Sequence, residues 1–259
     1  MSIRPKKSLG QNFLRDPNTI RKIAAAVGAP EGAPVVEIGP GTGALTEELL
    51  RCYPDLTALE VDERAVAHLR ESLPGLDVRH GDVLDTDWAA LAEEKGEKLW
   101  VVGNLPYYIT SPILFSLLDA RQHLRRAVVM MQKEVAERLV AVPKTKAYGI
   151  LSVQTQLLAR PSLLFEVSRH VFHPKPSVTS AVVALDFDAP PLDVDVERMR
   201  QTVRTAFGQR RKTLRNSLKP ITAGTGWAVP EAFAGRRPEA LEPQEFVALT
   251  RAIFPDAGA

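Results

Sequence analysis

From residue 34 to residue 132 the chain alternates short apolar runs of β character with stretches patterned as helices. "PVVEIG" precedes "GALTEELLRCY", and "LTALEV" precedes "ERAVAHLRESL". "DVRHGDVL", "KLWVVGNL" and "AVVMMQ" continue the series, with the helical "SPILFSLLDARQ" between the last two. Strands alternating with helices of this length predict βαβ units and an α/β fold whose parallel sheet is covered on both faces. Sheets of this kind bind ligands beyond the carboxyl ends of their strands, so chemistry is sought there.

The flanks complete the plan. "DPNTIRKIAAAVGA" reads as a short helix, capped by Asp16, with Pro17 in its first turn and Gly28 at its end. "SAVVALDF" (180 to 187) reads as a last strand, entered from the proline-rich "FHPKPSV", and "DAPPLDVD" as a linker. Beyond it "VERMRQTVRTAF", "RRKTLRNSL" and "EPQEFVALTRAIF" are helical in pattern. The expected division is a ligand-binding α/β domain over 1–187, with a basic N-terminal arm, and a small helical domain over 188–259.

Several functional classes fall away. No apolar run approaches the ~18 residues of a membrane helix, and "MSIRPKKSLGQNFL" lacks the apolar centre of a signal peptide, so a cytoplasmic protein is expected. A single cysteine, Cys52, permits no internal disulfide, and the five histidines show no ligand spacing, so no metal is expected. The net charge is only +2, but its distribution is uneven. From Arg198 to Pro230 there is no acid among eight basic residues, and the first fifteen residues carry Arg4, Lys6, Lys7 and Arg15 without an acid. Such clusters suit phosphate contacts, with Lys6, Lys7, Arg210, Arg211, Lys212 and Arg215 as the candidates for binding a nucleic acid.

Four strand ends carry candidate chemistry. "EIGPGTGAL" places Gly39, Gly41 and Gly43 after the first strand, where glycines allow a sharp turn and a close ligand approach. The spacing is G-x-G-x-G, whereas dinucleotide binders use G-x-G-x-x-G, which favours a ligand with one nucleoside and no phosphates. Glu60 of "LEVDERA" can accept the hydroxyls of a ribose, and Asp62 can cap the next helix. In "HGDVLD", Asp82 can accept from an adenine amine while Val83 packs on the ring; an ordinary turn aspartate is the competing reading.

The fourth is "GNLPYYIT", where Asn104, Leu105, Pro106 and Tyr107 form the N-x-P-Y pattern of methyltransferases that act on planar nitrogens. The lone pair of an adenine N6 is delocalised into its ring and is a poor nucleophile. The Asn104 side-chain oxygen and the Leu105 carbonyl could both accept from that amine, and the Tyr107 ring could stack on the base. A proline-terminated strand with core aromatics is the alternative.

Taken with "LGQNFL", "QKEVAERLVA", "YGILSV", "VFHPKPSVTSAVV" and "FGQRRKTLRNSL", these motifs resemble, nearly end to end and in order, the ribosomal RNA adenine N6-dimethyltransferases. The resemblance is closest to the bacterial enzymes acting on two adjacent adenosines near the 3′ end of 16S rRNA. It implies a class I, Rossmann-like fold that uses S-adenosylmethionine, and immature small subunits as partner. It further implies that Asn12 and Leu14 close over the cofactor, that Gly39 lies under its methionine part, and that Asn104 lies beside the methyl group. Phe172 would face Tyr107 across the target base. A monomer is expected. A DNA or large-subunit methyltransferase, an assembly factor and a dehydrogenase are the rival readings. Tyr108 stands where relatives often carry Asn and has no assigned role.

Overall fold

The computed structural model describes residues 3–6 and 9–255. The chain forms two compact units, Met1–Ala136 with Pro161–Phe187, and Glu137–Arg160 with Asp188–Ala259.

In chain order the first unit holds β1 (Phe13–Leu14), α1 (Pro17–Val27), β2 (Val35–Ile38), α2 (Ala44–Cys52), β3 (Leu56–Glu60) and α3 (Glu63–Ser72). There follow β4 (Asp77–His80), α4 (Trp88–Lys95), β5 (Leu99–Asn104), α5 (Thr110–Asp119) and β6 (Leu124–Gln132). The chain leaves this unit within α6 (Lys133–Leu139), forms α7 (Ile150–Leu158), and returns through β7 (Arg160–Val167), β8 (Phe172–His173) and β9 (Ser180–Asp186). The remainder is helical: α8 (Val196–Gly208), α9 (Leu214–Ser217), α10 (Lys219–Thr222), α11 (Glu231–Ala234) and α12 (Pro243–Ile253).

Seven strands make one sheet in the order β4-β3-β2-β5-β6-β9-β7. Neighbours from β4 to β6 run parallel, and β9 runs antiparallel to β6. The order reverses at β2, which places a crevice at the carboxyl ends of β2 and β5. All of β2, "VVEI", is buried. Val35 joins Ile23 and Val27 of α1, Leu49 of α2 and Val102 of β5 in the main core. Full burial of such a side chain is worth about 1.5–3 kcal/mol. The helix α1 begins as its sequence predicts: the Asp16 carboxylate accepts from Thr19 N–H at 2.7 Å, and Gly28 ends it in a left-handed conformation. A separate two-stranded ribbon pairs β1 with β8, matching Phe13 to His173 and Leu14 to Phe172.

The expected boundary lies at residue 188; in the structure the C-terminal helices group with residues 137–160 in the second unit. The reason is the apolar face of α7, which packs on α8 and α12. Tyr148 reinforces it by donating to the Leu241 carbonyl at 2.7 Å. The helix expected over "RRKTLRNSL" is broken: α8 ends at Gly208, a turn carries Arg210, Arg211 and Lys212, and α9 begins at Leu214. The strand β7 had no counterpart in the sequence reading. Among the described residues no helix is long and apolar enough to cross a membrane. Nor do these residues hold a cluster of three or more His, Cys, Asp or Glu arranged for a metal.

Candidate active site

In the first unit a cavity of about 260 Å3 opens where β2, β3, β4 and β5 end. Its wall takes Glu37 to Gly41 from β2 and its loop, Glu60 and Val61 from β3, and Asp82 and Val83 after β4. The segment Asn104–Ile109 after β5 and the arm from Leu9 to Leu14 complete it. The glycine loop, Glu60, Asp82 and Asn104, dispersed through the sequence, thus line one space. Its only ionisable side chains besides Tyr107 and Tyr108, among the described residues, are the carboxyls Glu37, Glu60 and Asp82; no Lys, Arg or His lines it.

Glu60 knits two of these strand ends together. One carboxylate oxygen accepts from Gly41 N–H and the other from Asp62 N–H, both at 2.9 Å. Burial pushes its pKa up, opposed by these backbone donors. Gly41 takes φ +57°, and a Cβ there would come within 2.8 Å of the Phe13 ring, so only glycine lets the arm lie this close to the loop. Asp82 is exposed and accepts from Leu84 N–H at 2.9 Å through Oδ1, while Val83 is buried.

Asn104 is half-buried at the end of β5, and its Nδ2 donates to the Asn12 carbonyl at 3.0 Å. With nitrogen turned to the arm, Oδ1 is the atom left to accept. Leu105 N–H is held by the Met130 carbonyl at 2.9 Å. Its own carbonyl accepts no hydrogen bond among the described residues. Pro106 closes the turn instead, its carbonyl taking Ile109 N–H at 3.2 Å and the Thr110 hydroxyl at 2.9 Å. The Tyr107 hydroxyl bonds the buried Ser180 Oγ at 2.8 Å, which fixes the ring, and burial pushes its pKa up.

The arm is tied down outside the cavity as well. Asp62 accepts from Gln11 Nε2 at 3.1 Å and Lys6 Nζ at 3.4 Å while capping α3 and pairing with Arg64. The Arg64 guanidinium holds the Asp62 carboxyl well below the usual carboxylate range. Asn12 bonds its side chain to the Gly10 carbonyl at 3.0 Å, and Leu14 is buried on the cavity wall.

Other sequence candidates lie elsewhere. Phe172, 5% exposed, packs in the core with Leu14, Ile20 and Val167 and does not line this cavity. Arg210 is engaged within its own unit by Glu239 at 2.7 Å and by the carbonyls of Lys146 and Thr145 at 3.0 and 2.8 Å. Arg215 pairs with Glu231, whereas Arg211 and Lys212 are exposed. Lys7 lies outside the described residues.

Three residues of the site escaped the sequence reading in these roles. Glu37 is 2% exposed, its Oε2 has no hydrogen-bond partner, and burial together with the nearby Glu60 charge pushes its pKa up to about 8. An acid inside an otherwise apolar strand was the available signal. Asp62 as anchor of the arm and Ser180 as anchor of Tyr107 gave none, since their partners are distant in sequence.

A sheet that runs parallel through β6 and then takes in the antiparallel β9, with its cavity at the reversal of strand order, makes this a class I methyltransferase fold. Comparison with known proteins narrows the class. The family model described as "Ribosomal RNA adenine dimethylase" matches residues 3–230, and the chain belongs to that family. It is 57% identical over 250 residues to the ribosomal RNA small subunit methyltransferase A of Salinibacter ruber, covering 96% of this chain and 84% of that protein. The protein of the same name from Chlorobaculum tepidum is 47% identical over 247 residues, 95% of this chain and 88% of its own. Among solved structures, a dimethyladenosine transferase from Plasmodium falciparum superposes with a TM-score of 0.75 at 25% identity, covering 94% of this chain and 98% of that one. The 23S rRNA methyltransferase ErmE gives 0.69 at 29% identity, covering 93% and 99%.

Proposed function

We propose that this cytoplasmic, monomeric enzyme dimethylates N6 of two adjacent adenosines near the 3′ end of 16S rRNA, in immature small ribosomal subunits, with S-adenosylmethionine as donor. The names of the bacterial relatives favour the small-subunit target over the large-subunit target in the name of ErmE.

The donor set fits that cofactor. A cavity lined by carboxyls and no cation is unsuited to a pyrophosphate but suits a nucleoside that carries positive charge. Glu60 would take the ribose hydroxyls, since each oxygen keeps a lone pair after accepting a backbone N–H. Asp82 and Val83 would hold the adenine, Gly39 and Gly41 would pass under the methionine part, and Asn12 and Leu14 would cover it. When bound, S-adenosylmethionine supplies a methyl group already activated on a sulfonium.

The chain's task is then to shape the nucleophile. Asn104 Oδ1 and the Leu105 carbonyl accept from the target amine, which favours a pyramidal nitrogen and localises its lone pair. The Tyr107 ring stacks on the base and fixes the line of attack. The base must leave its own stack to reach this position. No dedicated base is required: the alkylated nitrogen is acidic enough to pass its proton to water. Phe172 lies in the core behind the arm, so Tyr107 carries the stacking in this geometry. Arg211 and Lys212, exposed and near Arg215, are the surface cations best suited to RNA phosphates.

The observation that carries this reading is the orientation of Asn104, whose nitrogen is committed to Asn12 and whose oxygen, like the carbonyl of Leu105 next in the chain, has no partner among the described residues. The test is to offer the purified protein immature small subunits, large subunits and DNA with methyl-labelled cofactor, and to map the products. Label on two adjacent adenosines of 16S rRNA is expected. Label confined to large-subunit rRNA or DNA would overturn the assignment.

A further inference from the structure

Tyr108 is the residue of "NLPYYIT" that the chemistry above leaves unused. Of nine Phe, four Tyr and three Trp, it is the only exposed aromatic among the described residues, at 57%. Its hydroxyl is unusual too. Those of Tyr53, Tyr107 and Tyr148 bond to Ala24, Ser180 and Leu241, whereas that of Tyr108 has no partner among the described residues. The ring nonetheless has a fixed seat. It lines the mouth of the cavity and lies against Gly10 of the arm, where a Cβ would come within 3.0 Å of the ring. Gly10 has φ +59°, so a bare backbone lies beneath this ring while much of it faces solvent.

We propose that Tyr108 is a stacking platform for the nucleobase next to the target adenine. The proposal rests on the adenine-methylating reading of this cavity. When a base is drawn out of a strand, its neighbour loses a stacking face to water. An exposed ring adjoining Tyr107 in the chain replaces that face. Aromatic stacking tolerates any base, since each has a π-face. That suits an enzyme for which two adjacent adenosines take turns in one cavity: whichever occupies it, the other can be its neighbour. Nothing in the platform requires the phenol hydroxyl.

The test uses the full chain and small subunits reconstituted with 16S rRNA carrying 2-aminopurine beside the target adenosine, a base that cannot itself be methylated at N6. With wild-type protein, binding should quench the 2-aminopurine fluorescence. Tyr108→Ala should abolish the quenching and raise KM for the subunit about tenfold. Its kcat should stay within about twofold, with cofactor affinity unchanged. Tyr108→Phe should restore KM and quenching. Unchanged KM and quenching in Tyr108→Ala would overturn the proposal. So would a weakened cofactor affinity with normal RNA affinity, which would make the ring a mere support for the arm at Gly10. Failure of the underlying reading is distinguishable: the wild-type protein would then transfer no methyl group to adenosine.

Discussion

Asn104 donates its side-chain amide to the backbone carbonyl of Asn12 at 3.0 Å, joining the end of β5 to an arm ninety-two residues earlier in the chain. The bond commits the Asn104 nitrogen to the arm and leaves its oxygen without a partner among the described residues. Asn104→Asp replaces the donor with an acceptor that faces a carbonyl. Methyl incorporation should fall at least about a hundredfold, as for loss of a preorganised polar group at a reacting centre. Subunit affinity, measured by filter binding, should stay within about threefold.

The second tie of the arm is Asp62, which accepts from Gln11 and Lys6. Gln11→Ala removes one part-exposed bond to a charged acceptor. KM for the cofactor should rise about three- to tenfold, with KM for RNA unchanged. The Arg64 partner keeps Asp62 ionised, so the effect should be the same from about pH 6 to pH 9.

Ser180 acts through Tyr107. Ser180→Ala and Tyr107→Phe each delete the same 2.8 Å bond, so each should lower kcat by about three- to tenfold. The double variant should be no worse than either single one, because one interaction cannot be lost twice. Full additivity in single-turnover rates would remove Ser180 from the site.

Glu37 makes stability fall with rising pH. Its pKa is raised from 4.5 to about 8, so across that interval the folded chain keeps a proton that the unfolded chain releases. Its stabilising contribution is therefore complete below about pH 4.5 and declines as pH rises towards 8. Glu37→Gln should raise the unfolding free energy of the cofactor-free protein, measured by urea denaturation, by on the order of a few kcal/mol at pH 8 and little at pH 4.5. A Gln variant with the same pH profile as wild type would show that the carboxyl is already ionised in the fold.

Arg210 and Arg211 adjoin in sequence but should behave differently. Arg210→Ala removes the clamp on Glu239, Lys146 and Thr145 and should lower the melting temperature by several degrees, leaving the salt dependence of RNA binding intact. Arg211→Ala should leave melting unchanged and reduce the slope of log affinity against log salt by about 0.7.

The strand ends were legible because each carries its chemistry locally: glycines where the chain must turn, an acid after an apolar run, a proline where pairing stops. What the sequence concealed depends on partners far along the chain. "RRKTLRNSL" reads as a cationic helix until Glu239 and the carbonyls of residues 145 and 146 claim Arg210. Phe172 follows a motif that the family associates with the target base, yet its pairing opposite Leu14 carries it into the core. The mixed pattern of β7, an edge strand with exposed residues, gave no periodic signal. The placement of 137–160 follows from helix packing that no local window contains.

The absence of any cation among the described residues of the lining also bears on turnover in the proposed reaction. Each transfer to a neutral base removes one positive charge from the cofactor, while the carboxyls around it stay as they were. On the proposed reading the wall would be attuned electrically to the charged, unreacted donor and would hold the discharged by-product less firmly. Two dimethylations require four donors in succession, and a container that tells fresh from spent by charge favours that repeated exchange without a moving part of its own.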